Sequence, residues 1–260
     1  MKNTAFDYKR IAEGYRNRPY LHPQVIRQFQ RDTHTSHLLR GLDVGCGAGL
    51  STRALKTICT WVTGTDISRE MIRVAEEVCA GERGISFLVS SAEDFCPESA
   101  DANCLPFDIA TAAGAIQWID RARFLLNMQR LLAEHAYLLL YDFAISDTMP
   151  GNPAYTDWWH QQYLTAFPRP YRNEAIWTNE DVAPFGFCMR AQNALNLEYS
   201  FDLDSFVRFM MIQSNVNTQI EENGHDEEQV RQWFLRTLSP IFSDEKQRCL
   251  FKGYSWYLQK

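Results

Sequence analysis

The sequence has no apolar run approaching the roughly 20 residues that a membrane-spanning helix requires, so no span is expected. Its first nine residues, Met1 to Lys9, lack the apolar centre of a secretory leader. Its seven cysteines form no C-x-x-C pair, and they do not combine with histidines at zinc-ligand spacing. An odd, scattered set fits reduced thiols in a cytoplasmic protein, and no metal is expected. Internal repeats and low-complexity tracts are absent. There is also no basic excess. Twenty-six Lys and Arg face 32 Asp and Glu, a net charge of -6, which disfavours a phosphate-rich nucleic-acid partner. What remains is an ordinary globular composition, 45% hydrophobic and 22% charged. Its length of 260 residues suits one domain with insertions, and its aromatics gather in the second half.

The chemistry is concentrated in Leu42-Asp43-Val44-Gly45-Cys46-Gly47-Ala48-Gly49-Leu50-Ser51. An apolar run breaks into three alternate glycines and then turns helical. Glycine lets backbone approach a ligand closely. The next apolar run, Trp61 to Thr65, ends in Asp66, where a carboxylate can accept from both hydroxyls of a ribose. An adenosine-containing cofactor follows. The dinucleotide fingerprint is G-x-G-x-x-G, but here Leu50 stands where its third glycine would be. Asp43 just before the loop would repel a pyrophosphate and tolerate a cationic cofactor. A nicotinamide-dependent oxidoreductase is thereby disfavoured.

These segments, with Ser91-Ala92-Glu93-Asp94-Phe95 and Phe107 to Trp118, resemble the class I S-adenosylmethionine-dependent methyltransferases. The pair Gln117-Trp118 and the run Tyr15-Arg16-Asn17-Arg18-Pro19-Tyr20-Leu21-His22-Pro23 are similar to the small-molecule subgroup that includes trans-aconitate methyltransferase. The resemblance covers roughly residues 6 to 145 and weakens beyond. It implies a Rossmann-like, doubly wound, seven-stranded sheet with an antiparallel last strand.

Periodicity is consistent with that fold. Helical spacing is read over 5–18, 23–34 and Leu50–Ile58, after Ser68 (with Met71, Ile72, Ala75 and Val78 inward), and over Arg121–Glu134. Strands are read at Leu38–Val44, Trp61–Thr65, Ile85–Val89, Phe107–Ala112 and Tyr137–Tyr141. Alternation of this kind argues an α/β chain with its strand ends, and so all four motif loops, on one edge. Further helices are expected at Asp204–Asn215 and Glu227–Leu238, and the resemblance implies that Ala194–Tyr199 and Arg248–Leu258 pair antiparallel. The expected organisation is a cofactor-binding core with N-terminal helices (1–145), a substrate-lid insertion (146–182), and a segment completing the sheet with cap helices (183–260).

For the cofactor, S-adenosylmethionine, the candidate residues are Gly45, Gly47 and Gly49 in the loop and Asp66 at the ribose, with Ile67 against the adenine face. Ala92 and Glu93 would stand at the adenine edge, and Ala113, Gly114 and Trp118 beside the methionine part. The resemblance places Asp43 near the cofactor's amino group or makes it a loop-ordering residue, and Arg18 is read as reaching the cofactor carboxylate. For the acceptor, Trp158, Tyr163, Arg169, Tyr171 and Arg172 would wall a small-molecule site, with His160 as first candidate base and Gln117 beside it. A carboxylate acceptor needs no base, because it is ionised at pH 7. Two other readings stay open at this point. One is a protein that binds the cofactor without methylating; the other is a biosynthetic enzyme using it for other chemistry.

Overall fold

The computed structural model describes residues 9–97, 106–169, 176–243 and 245–260. Its strands are β1 (Leu38–Val44), β2 (Cys59–Asp66), β3 (Ile85–Val89), β4 (Phe107–Ala113), β5 (Leu132–Ile145), β6 (Cys188–Phe201) and β7 (Gln247–Gln259). They form one seven-stranded sheet in the order β3-β2-β1-β4-β5-β7-β6. β1 pairs parallel with both β2 and β4, and β5 continues the parallel set beside β4. β7 runs antiparallel between β5 and β6. The chain order reverses between β1 and β4, which opens a crevice at the carboxyl ends of those strands. Register aligns the edge: Val44 faces Thr65 on one side and Ala112 on the other.

Both faces of the sheet are covered, so the inner stretches of β1 and β4 are buried residue after residue instead of on alternate residues. On one face Leu42, Val44, Ala110, Leu138 and Leu140 pack with Phe124, Leu125 and Met128 of α5 (Arg121–Leu131). On the other, Ile109, Leu139 and Tyr141 pack with Val25, Ile26 and Phe29 of α2 (His22–Thr33), and with Ala54 and Leu55 of α3 (Leu50–Leu55). The helix α1 (Lys9–Tyr15) lies against α4 (Arg69–Val78). As expected, Ser68 caps α4, accepting from Met71 N.

The α5–β5 boundary differs from expectation. The helix stops at Leu131 instead of Glu134, because Leu132 already pairs with Phe107. The strand then runs on to Ile145, because β7 is long enough to pair with that extension, Ile145 opposite Phe251. At that crossing β7 carries Gly253, whose added Cβ would lie 1.9 Å from Asp142 O. Only a residue without a side chain lets the two strands pass here.

After β5 the described residues form α6 (Pro153–Trp158), a π-helical turn (Trp159–Tyr163), α7 (Leu164–Ala166) and α8 (Asn179–Val182). Between β6 and β7 come α9 (Leu203–Met211), α10 (Ser214–Glu221) and α11 (Glu227–Phe242). Among the described residues no helix is long and apolar enough to cross a membrane, and no group of three or more His, Cys, Asp or Glu is placed to hold a metal.

Candidate functional site

A cleft of about 560 Å³ opens at the switch point. One half is built from the strand-end loops. Gly45 and Gly47 follow β1, Asp66 ends β2 and Ile67 follows it, Ala92 and Glu93 follow β3, and Ala113 ends β4, with Gly114, Gln117 and Trp118 after it. The other half is built from Tyr15, Arg18 and His22 at the N-terminal helices, Tyr141 to Ile145 of β5, Phe209, Ile212, Gln213 and Ser214 at the α9–α10 junction, and Phe251 of β7.

In the first half the loops are tied together by one side chain. The Asp66 carboxylate accepts from Gly47 N through Oδ2 (2.9 Å) and from Ser68 N through Oδ1 (2.9 Å). Gly47 has φ +52°, and a Cβ built on it would meet only Tyr15 Cδ1, at 3.9 Å. The backbone there borders open space that a ligand can fill. Ile67 is 66% and Trp118 53% exposed although both are large and apolar. Two such groups on one cleft are suited to a flat heterocycle. The residues present therefore fit an adenosine group: a carboxylate at a strand end, a bare glycine backbone and two uncovered apolar side chains.

Several expected residues stand elsewhere. Asp43 is fully buried behind the loop and off the cleft wall. Its carboxylate accepts from Ser51 Oγ (2.7 Å), Thr52 Oγ1 (2.7 Å) and Thr111 Oγ1 (2.6 Å), which joins β1, α3 and β4. Burial pushes its pKa up and the three hydroxyls oppose that rise. Of the two roles the resemblance left open for Asp43, these bonds support loop ordering. Gly49 is also off the wall. Its added Cβ would meet Ala75 Cβ and Phe87 Cζ at 3.1 Å, so it permits close packing of α3 on α4 and β3. Gly45 lines the cleft, but there a Cβ would strike Ala115 Cβ at 2.5 Å. Glu93 already spends one oxygen on Asp120 N (2.8 Å), which joins the adenine-edge loop to the start of α5.

Of the expected lid, the aromatic residues before position 170 stand off the cleft. None of the described residues among 146–182 lines the cleft. Trp158 (2% exposed) and Tyr163 (0%) are core, stacked with ring centroids 5.4 Å apart and packed on Phe234 of α11. Tyr163 Oη donates to Asn215 Oδ1, and Asn215 Nδ2 donates to Phe167 O. Apolar burial against α9–α11 offered these aromatics more than a cleft wall could. Arg169 lies over the Trp159 ring at 4.9 Å. His160 is exposed and pairs with Asp147 Oδ2 at 3.0 Å, away from the cleft. The Asp147 carboxyl is lowered chiefly by that bond. Tyr171 and Arg172 lie outside the described residues.

Sequence reasoning missed most of the second half. His22 sits in the quoted aromatic–Arg-Pro run, yet no role was read for it. Its Nδ1 is 2.9 Å from Tyr141 Oη, and its ring packs on Phe143 with centroids 5.1 Å apart. Burial, with the Arg18 charge adding to it, pushes His22 down to about 3, so the imidazole is neutral at physiological pH. Burial likewise holds the Tyr141 phenol well above its usual range. Arg18 lies over the Tyr15 ring at 4.4 Å, and among the described residues it forms no ion pair. Asp142 ends the parallel part of β5 much as Asp66 ends β2, and that signal was available in the sequence.

Comparison with known proteins gives this geometry its class. Residues 42–140 match the methyltransferase domain family. The ubiquinone biosynthesis O-methyltransferase of Caulobacter sp. (strain K31) is 26% identical over 217 residues, 74% of this chain and 79% of that protein. The malonyl-[acyl-carrier protein] O-methyltransferase of Halalkalibacterium halodurans is 28% identical over 109 residues, 41% of this chain and 40% of that protein. The fold also matches a candidate type II methyltransferase from Anaeromyxobacter dehalogenans, with TM-score 0.62 and 21% identity, over 84% of this chain and 88% of that one. The chain thus carries a methyltransferase domain over residues 42–140 and is a methyltransferase. Its cofactor is S-adenosylmethionine.

Proposed function

We propose that the protein methylates a carboxylate oxygen of a small acceptor with an apolar body. When bound, the cofactor supplies a methyl group already activated on a positively charged sulfur. The chain's own contribution is to bind, orient and exclude water. Asp66 accepts from the ribose, Ile67 and Trp118 cover the adenine, Ala92 and Glu93 meet its edge, and Ala113 and Gly114 leave room for the methionine part. Arg18 takes the cofactor carboxylate. Asp142, whose Oδ1 lies 3.1 Å from where a Gly114 Cβ would stand, faces the cofactor ammonium.

The observation that carries the acceptor class is that the one imidazole among the described residues of the wall is not a base. His22, held at about 3, cannot take a proton at pH 7. An acceptor that arrives already ionised needs no such group, and a carboxylate does so. Phe143, Phe209, Phe251 and Ile212 supply an apolar surface for the rest of it. The oxygen specificity printed in the names of the two O-methyltransferase relatives agrees with this reading.

The test is to incubate the protein with methyl-labelled cofactor and the acid fraction of a metabolite extract. A methyl ester releases its label as methanol in mild alkali, whereas a methyl ether, amine or carbon product keeps it. Alkali-labile product is expected. Label retained in a stable product would overturn the carboxylate assignment and bring forward a hydroxyl acceptor, with Asp142 as its base. Cofactor binding without any labelled product would revive the non-methylating reading.

A further inference from the structure

We propose that His22 is a fixed neutral hydrogen-bond donor that orients the acceptor carboxylate, and that Tyr141 sets its tautomer. This rests on the carboxylate reading above. The argument begins at Tyr141. Its side chain is 1% exposed, and among the described residues its hydroxyl has one hydrogen-bond partner, His22 Nδ1 at 2.9 Å. A buried hydroxyl must donate somewhere, because leaving the hydrogen without an acceptor costs its full desolvation. Among the described residues, the acceptor in reach is the Nδ1 lone pair. A neutral imidazole carries one hydrogen, so with Nδ1 accepting, the hydrogen resides on Nε2.

Nε2 is not among the buried atoms that lack a partner, and His22 forms part of the cleft wall. The Nε2–H is therefore presented to the cavity. Phe143 packs on the same ring and holds its plane. The charged and titratable groups around the ring are Arg18 on its own side of the cleft and Tyr141 and Asp142 on β5. Arg18 opposes protonation of the ring, and the buried Tyr141 phenol stays protonated. The ring thus keeps one hydrogen, in one place, across the working pH range.

Such a group suits one oxygen of a carboxylate. It donates to the oxygen that is not methylated and turns the other toward the methyl donor. Being neutral, it adds no charge that would hold the acceptor too tightly or lower the nucleophilicity of the carboxylate. Tyr141 does not touch the acceptor in this arrangement; it is a positioning residue acting through His22.

The test uses full-length protein with S-adenosylhomocysteine for spectroscopy, and labelled cofactor with the acid extract for rates. Nitrogen NMR of the wild-type ring should show the Nε2-protonated tautomer, unmoved between pH 5 and 8. Tyr141→Phe keeps the ring and removes the hydroxyl. It should release the tautomer, visible as averaged nitrogen shifts, and raise the acceptor KM with cofactor affinity unchanged. His22→Leu should lower the rate of ester formation at dilute extract, which reads kcat/KM, by about ten- to a hundredfold. His22→Gln should recover much of that loss, because its carboxamide N–H reaches where Nε2–H stands. Three results would overturn the proposal: an Nδ1-protonated wild-type ring, Tyr141→Phe with unchanged tautomer and KM, or an acidic limb in the rate near pH 6 to 7 that His22→Gln abolishes. A product stable to alkali defeats the carboxylate reading but leaves the tautomer result standing. An ester product indifferent to His22 defeats only this proposal.

Discussion

Single carboxylates organise the cofactor half of the cleft, and each does so by a different route. Asp66 accepts from two backbone N–H groups on two loops and still faces the cleft. Replacing it by alanine removes both the loop tie and a charged acceptor. Hydrogen bonds to charged groups contribute about 1.5–3 kcal/mol, so affinity for S-adenosylhomocysteine should fall about ten- to a hundredfold in a folded Asp66→Ala protein. Calorimetry returning wild-type affinity would show that the ribose sits elsewhere. Asp43 has the opposite character: no cleft exposure and three hydroxyl donors. Thr111→Val keeps the shape and removes one donor, so it should cost about 1.5–3 kcal/mol of stability in chemical denaturation. An unchanged midpoint would mean that Ser51 and Thr52 suffice. Asp43 and Asp66 were both legible in the sequence as strand-end acids. Which of them faces the ligand was not, because that depends on which side of the strand the side chain leaves, and on hydroxyls brought from α3 and from β4.

Among the elements, the parallel strands and the helices between them were readable because their apolar residues recur at strand or helix spacing, with glycine or a capping residue between many of them. In the segment after β5, Trp158 and Tyr163 were read as a lid wall and instead pack in the core. The segment's tryptophans and tyrosines are as compatible with a core as with a lid, and composition alone does not distinguish them. The deciding surface, Phe206, Phe234 and Phe242 on α9 and α11, lies 40 or more residues away in sequence. Large-to-small changes of buried aromatics cost about 3–5 kcal/mol. Trp158→Ala should therefore lower the denaturation midpoint markedly and leave acceptor KM unchanged in the protein that remains folded. Arg169→Ala should change neither quantity appreciably. A selective rise in acceptor KM for either variant, seen in steady-state kinetics, would restore the lid. The acceptor half of the cleft was hidden for a related reason. It is assembled from α1–α2, the carboxyl end of β5 and the α9–α10 junction, which no local pattern connects.

For the molecule as a whole, a neutral histidine in the cleft links stability to pH. The unfolded chain protonates His22 near pH 6.5, whereas the folded protein resists until about 3. Below pH 6.5 the unfolded state thus binds more protons. Stability conferred by this group is complete above that pH and is lost progressively as pH falls toward 3. Denaturation between pH 6.5 and 5, above the range where most carboxylates titrate, should show the decline in the wild type and a flatter profile in His22→Gln. Parallel profiles would mean that the imidazole is free to protonate in the folded protein.

The short helix α1 is held on both sides by charge. Arg10 reaches Glu221 at 3.0 Å and Met211 O at 3.3 Å on the α9–α10 side. Glu13 pairs with Arg73, and Arg16 with Glu77 at 2.6 Å, on the α4 side. Tyr15 and Arg18, at and just beyond its end, line the cleft. Contacts of this kind, partly open to water, weaken as mobile ions screen them. The helix is consequently a latch whose tension is set by the surrounding electrolyte. S-adenosylhomocysteine should dissociate faster as sodium chloride is raised from 0.05 to about 0.5 M, by stopped-flow displacement, and Arg10→Ala should release it quickly at every salt concentration. Equal release rates throughout would mean that product leaves by a route that never parts α1 from its neighbours. If the latch does govern escape, turnover in the cell is tuned by ionic conditions and not only by the chemistry at the methyl group.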